Sequence, residues 1–109
     1  MDQPSVGELE LAALLAVVRL GEQAYGASIR RDLSERARRD YAIGAIYTTL
    51  QRLEDKKLIT SSMSEPTAVR GGRAKRCYRA TPAGDAVLRR ERRAAAAMWQ
   101  GIPVRLRTV

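Results

Sequence analysis

The pattern of apolar and polar positions along this chain predicts a helix at its start. Ser5 and Glu8 predict a capping box for that helix, and Gly21 predicts its end. The residues between them are apolar on almost every side, which is typical of a helix that is covered on more than one side. In a chain of 109 residues we expect a second subunit to provide part of that cover. The stripe at helical spacing that we expect to face the core comprises Leu11, Leu14, Leu15 and Val18.

Two more helices are predicted in the next part of the chain. One runs from about Gly26 to Arg38, and the other begins at Asp40 or Tyr41 and has Lys56-Lys57 in its last turn. The later of the two has the clearest amphipathic pattern in the sequence, so its apolar stripe should face the core and its other face should be exposed. The stripe comprises Ile43, Ile46, Tyr47, Leu50 and Leu53.

The pattern then changes to that of a β-hairpin followed by a last helix. Strand-forming residues from Leu58 to Ser64 and from Lys75 to Ala80 flank a loop over Glu65 to Ala74. Thr81, followed by proline, predicts a capped helix start, and this helix should run to about Gln100. Its apolar seam comprises Leu88, Ala95, Met98 and Ile102, and with Gly84 and Glu91 at the remaining positions the steps alternate between four and three residues.

This order of elements predicts a mainly α fold with a small β-hairpin, in the α+β class. We interpret residues 1–81 as a winged helix-turn-helix DNA-binding domain and residues 82–109 as a C-terminal dimerisation helix and tail. In such a fold one helix presents a face to the major groove and a second helix braces it. A basic loop, the wing, then contacts backbone phosphates.

Charge supports a polyanionic partner. Twenty Lys and Arg against twelve Asp and Glu give a net charge of +8, which is typical of proteins that bind nucleic acid or an anionic membrane, and a merely soluble basic surface is an equally good interpretation of composition alone. The longest uncharged apolar run, Leu11 to Val18, is too short to cross a bilayer. The first residues lack the basic region of a signal peptide, so we expect a cytoplasmic protein with no membrane partner.

The residue inventory argues against an enzyme. Histidine is absent, and Cys77 is the only cysteine, so the usual general base, a disulfide framework and a cysteine metal cluster are all missing. No convergent carboxylate pair nominates an acid and a base. We therefore expect no catalytic site, no metal and no cofactor, and we interpret Cys77 as packing on a strand.

The exposed face of the third predicted helix is the first candidate for contact with DNA. It carries small or hydroxyl-bearing side chains and one long cation, a set that allows close approach to bases. Arg52 could read guanine or bind phosphate, and the alternative is an ordinary solvated helix face. Tyr47 lies beside the core stripe, and its hydroxyl could also reach a phosphate. The candidates on this helix are Gly44, Ala45, Tyr47, Thr48, Thr49 and Arg52.

The predicted hairpin loop is the second candidate. The segment Arg70 to Arg79 carries five cations and no acid, and Gly71-Gly72 lets the backbone approach a phosphate chain closely. The alternative is a flexible basic surface loop. The candidate phosphate contacts in this segment are Arg70, Arg73, Lys75 and Arg76.

The first and last helices are the candidate dimer surface. Trp99, the only tryptophan, is expected to pack at the dimer contact, and the alternative is a flat platform that binds a planar effector. The candidate dimer residues are Leu11, Leu15, Leu88, Ala95, Met98 and Trp99.

Several segments together resemble the PadR family of bacterial transcriptional regulators. They are Gly7–Glu10, Tyr25–Ile29, Gly44–Glu54, Leu58-Ile59, Arg70–Arg73 and Tyr78–Gly84. The resemblance implies a winged helix whose C-terminal helix pairs with the first helix of a partner subunit. It also implies repression at a palindromic operator, often released by a small molecule, although no particular effector carries over. The tyrosine matching Tyr47 is implied to reach the DNA backbone, with the loop from Arg70 to Lys75 as the wing. This chain departs from the family pattern after Gly26, where Ala27 and Ser28 replace the usual aromatic residue and acid.

The sequence therefore predicts a sequence-specific DNA-binding transcriptional regulator. We expect a homodimeric repressor on double-stranded DNA, with a small-molecule effector as a further expected partner. The alternative is a winged-helix module that binds another protein through its apolar first and last helices.

Overall fold

The computed structural model describes residues 3–64 and 74–103, and it confirms the predicted mainly α fold with a two-stranded antiparallel hairpin. All four predicted helices and both predicted strands form. In chain order the elements are α1 (Glu8–Leu20), a short 3-10 turn (Gly21–Gln23), α2 (Gly26–Ala37), α3 (Ile43–Asp55), β1 (Ile59–Met63), β2 (Arg76–Ala80) and α4 (Pro82–Trp99).

The core lies where α1, α2 and α3 meet and is closed by the base of the hairpin. It is built almost entirely from aliphatic side chains, and each fully buried Leu or Ile stabilises the fold by about 1.5–3 kcal/mol. Tyr78 of β2 is the one aromatic ring in the core, and burial raises the pKa of its hydroxyl. The largest fully buried side chains are Leu14, Ile29, Ile46, Leu50, Leu53, Leu58 and Ile59.

The predicted core stripe of α1 was wrong in part. Leu14 is buried, but Leu15 and Val18 are 42% and 49% exposed, and Leu11 is only half-buried. The helix instead turns Ala13, Leu14, Ala16 and Val17 into the core, where the small alanines let α2 and α3 approach closely. Because α1 is apolar on nearly all sides, the sequence pattern does not single out one face. The structure leaves a second apolar face uncovered within the subunit.

The predicted Ser5–Glu8 capping box was also wrong. Helix α1 begins at Glu8, and the Gly7 amide donates to the Glu10 carboxylate at 3.1 Å. Ser5 precedes the helix in an extended segment whose carbonyl groups are held by cations. The Lys56 ammonium donates to the Ser5 carbonyl at 2.9 Å, and the Arg90 guanidinium donates to the Pro4 carbonyl at 3.0 Å.

Glu10 ties this segment to α3. Lys56 also donates to the Glu10 carboxylate at 2.5 Å. Burial raises the pKa of Glu10, but hydrogen bonds from Lys56 and the Gly7 amide and the positive charge of Lys56 and Arg52 outweigh it, so the net pKa lies below its ordinary value. The start of the chain is therefore fixed to the end of α3 by one lysine.

Helix α3 begins later than predicted, at Ile43 rather than at Asp40 or Tyr41. The Tyr41 backbone is engaged by α2, because its carbonyl accepts from Arg30 Nε at 2.7 Å and its amide donates to Ser34 Oγ at 3.3 Å. These bonds hold the turn between the two helices in a non-helical conformation. The helix ends at Asp55, so the Lys56-Lys57 pair follows its last turn instead of lying within it.

The hairpin is joined to the helices along one edge. Strand β1 pairs with β2 from Ile59 opposite Ala80 to Met63 opposite Arg76. The other edge of β2 meets the residues just before α2: Tyr25 forms an antiparallel bridge to Cys77, and the Tyr78 amide donates to the Ala24 carbonyl at 2.9 Å. The base of the two-stranded hairpin is thus anchored to the residues before α2 by one bridge and one hydrogen bond.

The start of α4 agrees with the predicted Thr81-Pro82 cap. Thr81 Oγ1 accepts from the Gly84 amide at 3.0 Å and donates to the Lys57 carbonyl at 2.7 Å, while the Thr81 amide donates to the Leu58 carbonyl at 3.0 Å. Gly84 and Val87 are buried against the core. Leu88 is half-buried, and every residue from Arg92 to Pro103 is exposed within this subunit.

Gly84 is required because a Cβ at this position would overlap the backbone carbonyl of Leu58. We expect Gly84→Ala to lower the free energy of unfolding by about 1–3 kcal/mol, because neither backbone can move away cheaply. Urea unfolding monitored by circular dichroism measures this change. Gly44→Ala is the matched control: its Cβ meets no neighbour, so the variant should be equally stable or more stable. Equal stability of the Gly84→Ala protein and the wild type would contradict the proposed tight contact.

Candidate nucleic-acid interface

The exposed face of α3 is available to a partner over its whole length. Gly44, Ala45, Thr48 and Arg52 are all exposed, as the sequence predicted, and nothing lies within 4 Å of the position of a Cβ on Gly44. The face is flat near the start of the helix and carries one long cation near its end. This shape suits insertion into the major groove of a duplex.

Two residues of α3 lie on the opposite side from that predicted. Thr49 was assigned to the exposed face, but it is only 5% exposed, and its hydroxyl donates to the Ala45 carbonyl one turn earlier at 2.8 Å. This internal bond satisfies the hydroxyl and lets the side chain enter the core. Ile43 was assigned to the core stripe but is 42% exposed, because it is the first residue of the helix and lies beyond the contact with α2.

Tyr47 lies at the edge of the α3 face and against the start of α2. Its ring covers Gly26, where a Cβ would lie 2.5 Å from both Cζ and the hydroxyl oxygen. The residue is nevertheless 48% exposed. The tyrosine therefore has one side packed on backbone and the other open to a partner, which combines the two roles that the sequence left open.

Only the base of the wing belongs to the described residues. Arg70 and Arg73, which were predicted to contact phosphate, lie outside them. Lys75 and Arg76 are described and exposed, and Arg76 donates to the Ser61 hydroxyl across the hairpin at 2.9 Å. The Lys75 ammonium lies over the Tyr25 ring, 4.9 Å from its centroid.

A groove of about 670 Å³ joins the start of α2, the edge of α3 and the base of the wing. Tyr47 shares this groove with Lys75 and Arg76, as expected for one continuous surface. The groove also includes Tyr25 and Arg31, which sequence reasoning missed as functional residues. Arg31 reads as part of a solvated helix face, and only the packing of α2 against the hairpin brings it to this surface.

Electrostatics of the groove favour an anion. Among the described residues, its lining includes three cationic side chains and no acidic one. Two tyrosines and the backbone near Gly26 supply further hydrogen-bonding groups. A chain of phosphates that crosses this groove would therefore meet positive charge next to the exposed face of α3.

A second groove, of about 470 Å³, separates α1 from α4. Four of the six predicted dimer residues line it: Leu11, Leu15, Leu88 and Ala95. Arg89, Glu91 and Arg92 form its charged part. Met98 and Trp99 lie farther along α4, 81% and 62% exposed, and do not line this groove.

No helix within residues 3–64 and 74–103 is long and apolar enough to span a bilayer. Across the same residues, no group of three or more cysteine or acidic side chains is placed to hold a metal ion. Cys77 is a free, half-buried thiol on β2.

Comparison with known proteins gives a consistent family. Residues 14–90 match the family model described as the transcriptional regulator PadR-like family. A stretch of 72 residues is 43% identical to transcriptional regulator Rv3488 of Mycobacterium tuberculosis. That match spans 66% of this chain and 63% of the relative, so the chain matches just under two thirds of the relative's length.

Solved structures with the same fold include two described as PadR regulators. A PadR-like transcription factor from Bacteroides fragilis is 24% identical, with a TM-score of 0.67 over 83% of this chain and 82% of the other. A PadR family transcription regulator from Clostridium difficile R20291 is 29% identical, with a TM-score of 0.59 over 81% of this chain and 88% of the other. The RosR structure from H. salinarum is 20% identical, with a TM-score of 0.68 over 94% of this chain and 84% of the other.

Proposed function

This chain belongs to the transcriptional regulator PadR-like family, and we propose that it is a sequence-specific DNA-binding repressor that acts as a homodimer on a palindromic operator. Members of this family are transcriptional regulators rather than enzymes. The proposal includes residues 1–81 as the DNA-binding domain and residues 82–109 as the dimerisation helix and tail. It also includes a cytoplasmic location, since the DNA target of a bacterial regulator lies there.

The observation that carries the proposal is the continuity between the open face of α3 and the acid-free groove beside it. We propose that Gly44, Ala45, Thr48 and Arg52 enter the major groove. Tyr47 and the cations of the groove would hold the adjacent phosphates, so that base contacts select the sequence and phosphate contacts fix the position. Further phosphate contacts from the wing would come from Lys75, Arg76, Arg70 and Arg73. Thr49 is excluded from this set because its side chain is buried.

We propose that the dimer forms through the groove between α1 and α4. Leu11, Leu15, Leu88 and Ala95 give the groove an apolar lining, and the residues of α4 beyond it are exposed within the subunit. A partner helix seated there would cover the face of α1 that the core leaves open. A two-fold axis in this seam would set two copies of α3 about 34 Å apart, the distance between successive major grooves.

Release of the repressor from DNA by an effector would act through the end of α4. A planar small molecule that stacks on Trp99 at the dimer seam would change the packing of α4 and, through it, the spacing of the two α3 helices. Support comes from the indole, which is 62% exposed and ends a helix with few contacts to its own subunit. Packing of Trp99 against the partner subunit is the first interpretation of this exposed indole, and the effector platform is the alternative.

Fluorescence anisotropy on DNA from the region upstream of the gene tests DNA binding directly. We expect tight binding that weakens steeply with salt and survives competition by unrelated DNA. Arg52→Ala should weaken binding to the specific duplex by about 1–3 kcal/mol more than binding to random DNA, because a base contact is lost. Arg93→Ala on α4 removes the same charge and is the control. Absence of any binding at low salt would contradict the proposal and favour the protein-interaction module.

Gly26→Ala tests the placement of Tyr47. The added methyl group would displace the half-exposed ring, so we expect weaker DNA binding with little change in thermal unfolding. Tyr47→Phe should cause a similar loss of affinity, because it removes the hydroxyl that would meet a phosphate. The double variant should lose no more than either single variant. Additive losses would show that Gly26 acts by another route.

Leu15→Glu tests the dimer seam by sedimentation velocity. The residue is half exposed in the subunit, so the variant should fold, but a charge in the groove should shift the protein to monomer. Met63→Glu is the control, since Met63 is 58% exposed on β1 and does not line this groove. A monomeric wild type, or dissociation by both variants alike, would argue against this seam.

A further inference from the structure

The contact between Tyr25 and Lys75 joins the two halves of the DNA-facing groove. Tyr25 is the residue before α2, and Lys75 is the residue before β2. The ammonium of Lys75 lies over the ring, 4.9 Å from its centroid, which is within the range of a cation–π interaction. Neither residue belongs to the hydrophobic core.

The backbone of both residues is held by hydrogen bonds. Tyr25 bridges to Cys77 and its amide donates to Ser28 Oγ at 2.9 Å, so the start of α2 and the edge of β2 fix its position. Lys75 is held by Ser64, whose amide donates to the Lys75 carbonyl at 2.7 Å and whose hydroxyl accepts from the Lys75 amide at 2.9 Å. Both backbones are therefore fixed, and the freedom that remains in this pair is that of the two side chains.

The Tyr25 ring limits where the Lys75 ammonium can lie, and this affects the entropy cost of binding an anion. A lysine has a flexible stem and a point charge, and a binding partner that uses it must first immobilise it. Over the Tyr25 ring, the ammonium is held in the same groove as Arg31 and the half-exposed Tyr47. A lysine held there before binding costs less entropy when an anion arrives.

We propose that Tyr25 is a positioning residue for DNA binding: its ring holds the Lys75 ammonium in the groove, so that one stretch of phosphate backbone meets Lys75 and Tyr47 together. This inference rests on the proposed function. It adds Tyr25, which would affect DNA binding through Lys75 and would not touch DNA itself. It also assigns a role to the residue that precedes Gly26.

The test compares Tyr25→Leu with Tyr25→Phe in the full-length protein. Phenylalanine keeps the ring face, so Tyr25→Phe should bind the upstream duplex as the wild type does. Tyr25→Leu should bind about two- to five-fold more weakly at low salt, in line with an exposed cation–π contact, and the deficit should shrink as salt rises. In a Lys75→Gln background, Tyr25→Leu should cause no further loss, because the side chain that it positions is gone.

An NMR measurement without DNA tests the contact between Tyr25 and Lys75 by itself. The Hε protons of Lys75 should show an upfield ring-current shift by NMR in the wild type and in Tyr25→Phe, and should lose it in Tyr25→Leu. Thermal unfolding of each variant separates positioning from a purely structural role. A salt-independent deficit in Tyr25→Leu, or the same deficit in the Lys75→Gln background, would overturn the inference alone. A wild type that binds no duplex at low salt would overturn the proposed function and this inference with it.

Discussion

Helix α4 starts where the end of α3 turns into β1, and its direction is set by the contacts made there. Thr81 bonds to the carbonyls of Lys57 and Leu58, and Gly84 lets the helix backbone lie directly against the Leu58 carbonyl. Because these contacts involve backbone on one side, they tolerate little change in angle. The helix proposed to pair subunits is thus fixed to the helix proposed to read DNA, and a movement of α4 at the dimer seam would reach α3 through this junction.

A second, softer connection between the same elements lies beside this junction, because it is made by Lys56, the residue before Lys57. Lys56, just after α3, holds the Ser5 carbonyl and the Glu10 carboxylate, while Arg90 of α4 holds the Pro4 carbonyl. The segment before α1 therefore lies between α3 and α4 and is bonded to both. These are charged and partly exposed contacts, so they are weaker and more sensitive to salt than the junction at Thr81. The junction at Thr81 is therefore the more rigid connection between α3 and α4, and the charged contacts of Lys56 and Arg90 are the more adjustable one.

The sequence predicted the buried face of a helix well where apolar and polar residues are clearly separated around it. In helix α3 apolar residues recur at steps of three and four among polar ones, so most of its core face was predicted correctly. The Thr81-Pro82 cap was predicted because its chemistry involves only neighbouring residues. Helix α1 has little contrast, so the face that includes Leu15 was assigned to the wrong side. Thr49 was misplaced because its type suggests exposure, while a bond to its own helix satisfies its hydroxyl. Arg31 was missed because its place in the groove depends on how α2 packs against the hairpin, which no local pattern records.

The outer half of α4 has a consequence for how the regulator responds to its own abundance. From Arg92 to Trp99 every residue of the helix is exposed within its subunit, so burial in the core does not stabilise this end of the helix. Its order is therefore conditional on cover from outside. If a second copy supplies that cover, folding of this segment and association become one equilibrium, and the concentration of the protein sets how much of it is fully folded. A change in the concentration of the protein would then change the folded fraction of this segment as well as the amount of protein.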